Sequence, residues 1–380
     1  MEILRIDLAN KKHVRDFIGL SYRIYSGIPE WVPPLEIDAR LILNTRRHPF
    51  YKYSEAAFFL CYRKDQPVGR LAVLNNKRYN EYNHSKTAFF YLFETENDPD
   101  IPQVLFKAGF AWATSLGLTN IIGPKGFTAL DGLGMLVKGF EHRPAFGLPY
   151  NPSYYPELIE ALGFETDSEV ASGYLDTKKE FPSKIHEVSA KIQQRRGLHI
   201  ARYKTRKDLR ALIPQLKKLY NGALEGTTGT YPLDDADLET MASQLLWFAD
   251  PNLVKIVMKT SDSPGLEDKP VGFLLAYPDL SASLQKIKGK LFPFGWVTLL
   301  RDLKHTDWVN INGIGMLDEY RGLGGTAILF SEMYKTIHES GQFKHADLVQ
   351  IGIDNARMQR ELRDLGVDFY KLHRVYKRDL

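Results

Sequence analysis

Residues 308–330 read WVNINGIGMLDEYRGLGGTAILF. Residues 308–317 read as a buried strand, Asp318-Glu319-Tyr320 interrupts it, and Arg321-Gly322-Leu323-Gly324-Gly325-Thr326 is a glycine-rich turn. Ala327, Phe330, Tyr334 and Ile337 then recur at steps of three and four, the spacing of one helix face. Gly341 follows where a C-cap is expected. A strand feeding a glycine-rich turn at a helix N-terminus is an anion site. The first-turn N–H groups have no intrahelical acceptor, the helix dipole is positive there, and glycine lets a phosphate come close.

Three other readings compete. An ordinary strand–turn–helix with no ligand is one. A nucleotide P-loop fails because no Gly-Lys-Ser/Thr follows. Gly322-x-Gly324-x-x-Ala327 fits the dinucleotide fingerprint by letter, but that motif needs the strand to run straight into its first glycine, and Asp-Glu-Tyr-Arg intervenes here. The segment EYRGLGGTAI, residues 319–328, resembles the acyl-CoA loop of the GNAT superfamily of N-acyltransferases, whose pattern is Gln/Arg-x-x-Gly-x-Gly/Ala. Arg321 and Gly324 fit; Thr326 stands where the second Gly/Ala is expected. The likeness also covers the preceding strand and residues 346–370.

The resemblance implies an α/β (α+β) fold with a mixed, mostly antiparallel sheet flanked by helices. It implies acetyl-CoA or another acyl-CoA as co-substrate and transfer of the acyl group to an amine on a small molecule or peptide. Gly315, Met316 and Leu317 would pair with the pantetheine arm, and one of their N–H groups would hold the oxyanion. Arg321, Gly322, Leu323, Gly324, Gly325 and Thr326 would hold the pyrophosphate. Asn355 matches a cofactor-holding position and reads equally as the N-cap of the last helix. Two catalytic groups are missing from their usual places. Leu362 stands where the family often has a thiol-protonating Tyr, and the strand offers Asn310 and Asn312 where a carboxylate base is common. His305, Asp307 and Tyr370 are substitutes on paper, and groups of this kind at strand ends are also structural. The catalytic residues stay unassigned, and a catalytically silent acyl-CoA-binding or regulatory module is the alternative.

A chain of 380 residues exceeds one ordinary core and implies two domains. Hydrophobic residues at 44% and charged residues at 25% describe a globular protein. A net charge of +4 argues against a nucleic-acid partner, and so against a Fem-type transferase acting on aminoacyl-tRNA. The single cysteine, Cys61, excludes an intrachain disulfide, and its apolar flank reads as core; no cluster has metal spacing. The N-terminal residues hold no signal-like apolar core, and no apolar run reaches membrane-spanning length. A cytoplasmic protein with no membrane partner is the expectation.

An internal repeat sets the organisation. Gln66-Pro67-Val68-Gly69 recurs as Lys269-Pro270-Val271-Gly272, and Ala161-Leu162-Gly163-Phe164 as Asp364-Leu365-Gly366-Val367, both at an offset of 203. Tyr25-Ser26-Gly27 is matched by Tyr220-Asn221-Gly222 at 195. Two GNAT-like domains are expected, 1–180 and 198–380, joined by a helical linker over 181–197. The pair resembles a bacterial tandem double-GNAT group, and a monomer with an internal pseudo-dimer follows. The first copy reads as strand 1–6, helix 11–25, hairpin 56–74, strand 89–96, a helix ending at Gly117 and strand 120–122. Between its fourth strand and helix stands Asn97-Asp98-Pro99-Asp100, with carboxylates in place of glycines, so this copy is degenerate and lacks the cofactor loop. An insertion over 123–155 offers Thr128, Asp131, Tyr150, Asn151 and Tyr154 as groove residues or as covering aromatics. The second copy reads as helix 209–220, a Gly/Thr loop over 226–233, helix 235–248, hairpin 253–277, an insertion over 278–304, and the stretch quoted above.

Overall fold

The computed structural model describes residues 1–128, 131–224, 230–261 and 267–380. The first copy contains β1 (Glu2–Arg5), α1 (Lys11–Ile24), α2 (Glu36–Ile42), β2 (Glu55–Arg63), β3 (Gln66–Asn75), α3 (Lys77–Tyr82), β4 (Thr87–Thr95), α4 (Asp100–Ser115), β5 (Asn120–Gly123), β6 (Met135–Lys138), α5 (Tyr155–Ala161) and β7 (Glu165–Asp176). The stretch read as a linker is α6 (Ser183–Arg196). The second copy contains β8 (Leu198–Ala201), α7 (Arg206–Ala211), α8 (Ile213–Leu224), α9 (Asp235–Leu246), β9 (Val254–Lys259), β10 (Lys269–Pro278), α10 (Ser281–Ile287), α11 (Gly295–Leu303), β11 (Trp308–Met316), α12 (Gly325–Ser340), β12 (His345–Gly352), α13 (Ala356–Asp364) and β13 (Asp368–Asp379). Most of the expected Gly/Thr loop over 226–233 lies outside the described residues.

Strands and helices form where local chemistry favours them. On β4, Ala88 and Phe90 join the core under α4, and Phe89 joins the core under α1. A strand covered on both faces reads as an apolar run rather than an alternation. The helix expected over 209–220 is two helices. Thr205 and Asp208 close α7 with a reciprocal capping box, and Pro214 then sits in the first turn of α8. Proline cannot donate to the preceding turn, so it starts a helix more readily than it continues one.

Among the described residues all strands join one 13-stranded sheet, ordered β1-β2-β3-β4-β5-β13-β7-β12-β11-β10-β9-β8, with β6 pairing β13 off this path. The pairs β4–β5 and β11–β12 are parallel. The last strand of each copy lies in the other copy's half. β7 pairs with β12, Leu175 opposite Ala346. β13 pairs with β5, Tyr376 opposite Gly123, and with β7, Leu372 opposite Ala171. Among the described residues these exchanged strands are the longest, at 12 residues each. Their polar side chains find partners across the sheet and on α5: Arg374 bonds Glu169 at 2.8 Å and Glu160 at 3.0 Å, and Tyr376 bonds Glu160 at 2.9 Å.

Helices cover both faces. α4 and α5 back the first copy, as α12, α13 and α6 back the second, with Cys61 fully buried in the first core. A shared cluster joins Leu35 and Phe146 of the first copy to Phe248, Tyr277, Leu284 and Leu299 of the second. Arg78 on α3 reaches Asp237 at 2.6 Å and Asp234 at 3.2 Å, at the start of α9. Among the described residues no side-chain group has the makings of a metal site, and no helix is long and apolar enough to cross a membrane.

Candidate functional site

β11 and β12 run parallel from Trp308 opposite His345 to Ile311 opposite Leu348, and there the pairing ends. Beyond it Gly313 turns β11 with φ +115, and Gln350 bends β12 with φ +51. Residues 312–316 continue beside β10 alone, so the two strands splay apart. Gly315 faces Phe273 closely: a Cβ there would lie 2.7 Å from its ring. Met316 is buried beneath Gly272 and Gly325. The amide of Leu317 donates to the Val271 carbonyl at 2.9 Å, so that N–H is committed to the sheet.

The glycine turn opens at the end of the splay. Gly322 and Gly324 have φ of +76 and +90, in the left-handed region that favours glycine. Gly324 also lies under the linker helix, where a Cβ would come within 1.9 Å of Ile192. Close packing by α6 therefore requires glycine here whether or not a phosphate binds. Arg321 braces the turn: its guanidinium donates to the Ala223 carbonyl at 2.7 Å and pairs with Asp318. Leu323 donates its amide to Tyr320. Gly325 and Thr326 begin α12, and no side chain caps that helix. Asn355 caps α13 by accepting from the Met358 amide at 3.1 Å, and Leu362 is buried in the core.

The first copy's turn is filled from within. The Asp98 carboxylate accepts the Asp100 amide at 3.0 Å, at the first residue of α4. Arg63 pairs with both Glu96 and Asp98, and Arg23 pairs with Glu96 at 2.6 Å.

A buried polar cluster lies where the β11–β12 pairing ends. Tyr370 donates its hydroxyl to Asp347 at 2.7 Å, and Lys371 donates to Tyr370 and to the Arg143 carbonyl. Asp279 accepts from Asn310 at 2.9 Å and from the Phe146 amide at 3.1 Å, with Arg143 3.5 Å away. Burial pushes the Asp347 carboxyl up to about 7, against the opposing pull of Lys371. Burial brings the Lys371 amine down to about 8. Asn310 and Asp347 are register partners, and one oxygen of each side chain has no hydrogen-bond partner among the described residues. Tyr370 thus enters the cluster, whereas His305 sits at the end of α11, bonded to the Arg301 carbonyl at 2.8 Å. Sequence reading misses Asp347 because an aspartate inside an apolar strand carries no motif.

The structure superposes on a tandem GNAT protein from the clavulanic acid biosynthesis pathway with a TM-score of 0.55, at 12% identity, covering 100% of this chain and 98% of that one. This is a tandem GNAT fold. No protein-family model matches the chain. In sequence it is similar to Protein YghO of Escherichia coli (strain K12), 23% identical over 378 residues, covering 98% of this chain and 94% of the relative. It is also similar to the bacterial ceramide synthase of Caulobacter vibrioides (strain NA1000 / CB15N), 23% identical over 389 residues, covering 99% and 97%.

Within this GNAT fold the first copy's insertion divides in two. Thr128 and Asp131 line a cavity of about 1050 Å³ together with Phe89, Ile122, Tyr220 and Tyr231; residues 129–130 lie outside the described residues. Gln350 borders the same cavity and brackets Leu133, accepting from its amide at 3.2 Å and donating to its carbonyl at 2.6 Å. The other three candidates hold the loop itself. Asn151 brackets Leu136, Tyr150 donates to Phe140 and Tyr154 donates to Thr95.

Proposed function

We propose that the protein transfers an acyl group from acyl-CoA to an amine, and that the second copy carries the reaction. The observation behind this reading is the pair of oxygens, on Asp347 and Asn310, that have no partner among the described residues, one residue pair before β11 and β12 part. A neutral amine has two N–H groups to offer two such acceptors, and its lone pair stays free to attack. A buried acceptor without a donor is costly, so a ligand that supplies donors is favoured. In the transfer a C–N bond forms and the thioester C–S bond breaks. Asp347, as carboxylate, receives the amine's proton, and the thiolate leaves.

Acyl-CoA suits the residues present. The uncapped start of α12 offers the Gly325 and Thr326 amides to a pyrophosphate, and the splay gives the pantetheine arm a strand edge to pair with. Gly315, Met316, Arg321, Gly322, Leu323 and Gly324 are proposed to line that path. Leu317 contributes there through its side chain or carbonyl, and Asn355 through its place at the start of α13. The name of the Caulobacter relative and the cavity beside Gln350 together support a long-chain amine as acceptor.

The test is CoA release from short- and long-chain acyl-CoA across a panel of small and long-chain amines. The rate is expected to rise with pH through about 7, as Asp347 loses its proton. Asp347→Asn should remove that limb and slow turnover by ~10²–10⁴ without changing CoA affinity. Full activity in Asp347→Asn overturns the assignment. A second reading, binding without turnover, draws on Leu362, which the core holds where the family often has a Tyr. Tight CoA binding with no release above blank for any amine would favour it.

A further inference from the structure

α10 and α11 form a hairpin inserted between β10 and β11, and its two sides differ. Leu284, Leu299 and Leu303 point inward against Phe248 and Tyr277. Outward, Phe292 is 79% exposed and Phe294 75%, while Trp296, Val297 and Leu300 are each nearly half exposed. Five large apolar side chains within nine residues make a contiguous patch of the kind that marks an interaction site.

Charge identifies what the patch faces. Residues 286–304 hold Lys286, Lys288, Lys290, Arg301 and Lys304, all exposed, against one acid, Asp302. Five cations against one acid give this stretch a local excess of +4. Asp302 is spent internally, accepting from Lys286 at 2.8 Å and Ser283 at 3.1 Å. The hairpin is bolted to the first copy through Gln285, which donates to the Pro29 and Trp31 carbonyls, and through Gly289, which accepts from the Glu36 amide.

We propose that this hairpin docks the protein onto the surface of an anionic lipid bilayer. Phe292, Phe294 and Trp296 enter the boundary between headgroups and acyl chains, and the flanking lysines meet lipid phosphates. A second copy of the chain is the wrong occupant, because a two-fold contact would bring lysines against lysines. The expectation of no membrane partner rested on the lack of a spanning apolar run, which an interfacial helix does not need. The inference stands on this surface alone and does not depend on the proposed reaction.

Co-sedimentation of the full chain with vesicles tests it. Phosphatidylcholine vesicles containing phosphatidylglycerol should pellet the protein, high salt should weaken binding, and phosphatidylcholine alone should bind far less. Phe292→Ser and Phe294→Ser should each lower partitioning by ~10-fold, and Lys288→Glu with Lys290→Glu should abolish the preference for phosphatidylglycerol. All four positions are exposed, so the variants should keep the parent melting temperature. Failure to pellet with anionic vesicles, or unchanged binding by both serine variants, overturns the proposal. So does a concentration-dependent dimer that Phe294→Ser dissolves while vesicles go unbound, since the face would then be a contact between copies.

Discussion

The turn between β4 and α4 contains Glu96 and Asp98 and leads into Asp100; the turn between β11 and α12 contains Gly322 and Gly324 and leads into Gly325. Both follow the same strand. Gly69 pairs with Thr95 as Gly272 pairs with Met316, and Leu92 and Gly313 both turn their strands with positive φ, at a common offset of 221. The first turn supplies its own anion, with Asp98 on the helix N-terminus and Arg63 and Arg23 neutralising the carboxylates. The second supplies none to α12. A helix N-terminus is an electrostatic demand that a chain can meet from within or leave for a ligand. The pair shows both solutions on one scaffold. The same alignment sets Glu94, held by Arg70 at 3.3 Å and Tyr155 at 2.9 Å, against Gly315. The first copy thus has a strand carboxylate, tied to its own neighbours, where the second has a glycine.

The most severe way to break the comparison is to separate its halves. Fragments 1–180 and 181–380 should each fail to unfold cooperatively when expressed alone, because each half of the sheet ends on a strand the other supplies. Co-expressed, they should co-purify. Two well-behaved fragments that ignore each other would mean the exchange is dispensable.

Thr326→Asp transplants the first copy's solution into the second. A carboxylate in the first turn of α12 suits the helix dipole, so the melting temperature should hold or rise. It should oppose a pyrophosphate, costing about 2–4 kcal/mol of CoA affinity by isothermal titration. Gly324→Asp is a poorer probe, since its side chain would strike Ile192 and destabilise the fold as well. Unaltered affinity in Thr326→Asp would place the cofactor elsewhere.

The smallest effect belongs to Asp98→Ala. It should cost about 1 kcal/mol of stability in denaturant titration, as cap removal does, and leave one CoA bound per chain by equilibrium dialysis. A second site appearing in this variant would show that Asp98 alone had closed the first copy.

Much of the frame was legible because it rests on local rules. The β2–β3 and β9–β10 hairpins, the strands β4, β5, β11 and β12, and the glycine turn follow from apolar runs and turn residues, and the repeat points to a frame that occurs twice. The exchanged strands were not legible. In β13, Lys371, His373 and Arg374 interrupt the apolar pattern, and each has its partner in a distant segment: Arg143, Pro149 and Glu169. Asp347 was hidden for the same reason, since only Tyr370 and Lys371 of another strand give it meaning. Gly324 was legible as glycine and ambiguous in purpose, because a phosphate and the Ile192 side chain ask for the same missing Cβ.

The exchange of β7 and β13 also fixes an order of events during synthesis. The first half of the sheet waits for β13, which is translated after every strand it pairs with. Domains commonly fold as they emerge from the ribosome, but here the first copy must persist with an open edge at β5 until the second has been made. Pairings as distant in sequence as Tyr376 with Gly123 also slow folding. A stop codon just ahead of Asp368 would therefore damage the copy made first as much as the copy it truncates, and a ribosome stalled there would hold a chain with neither half closed.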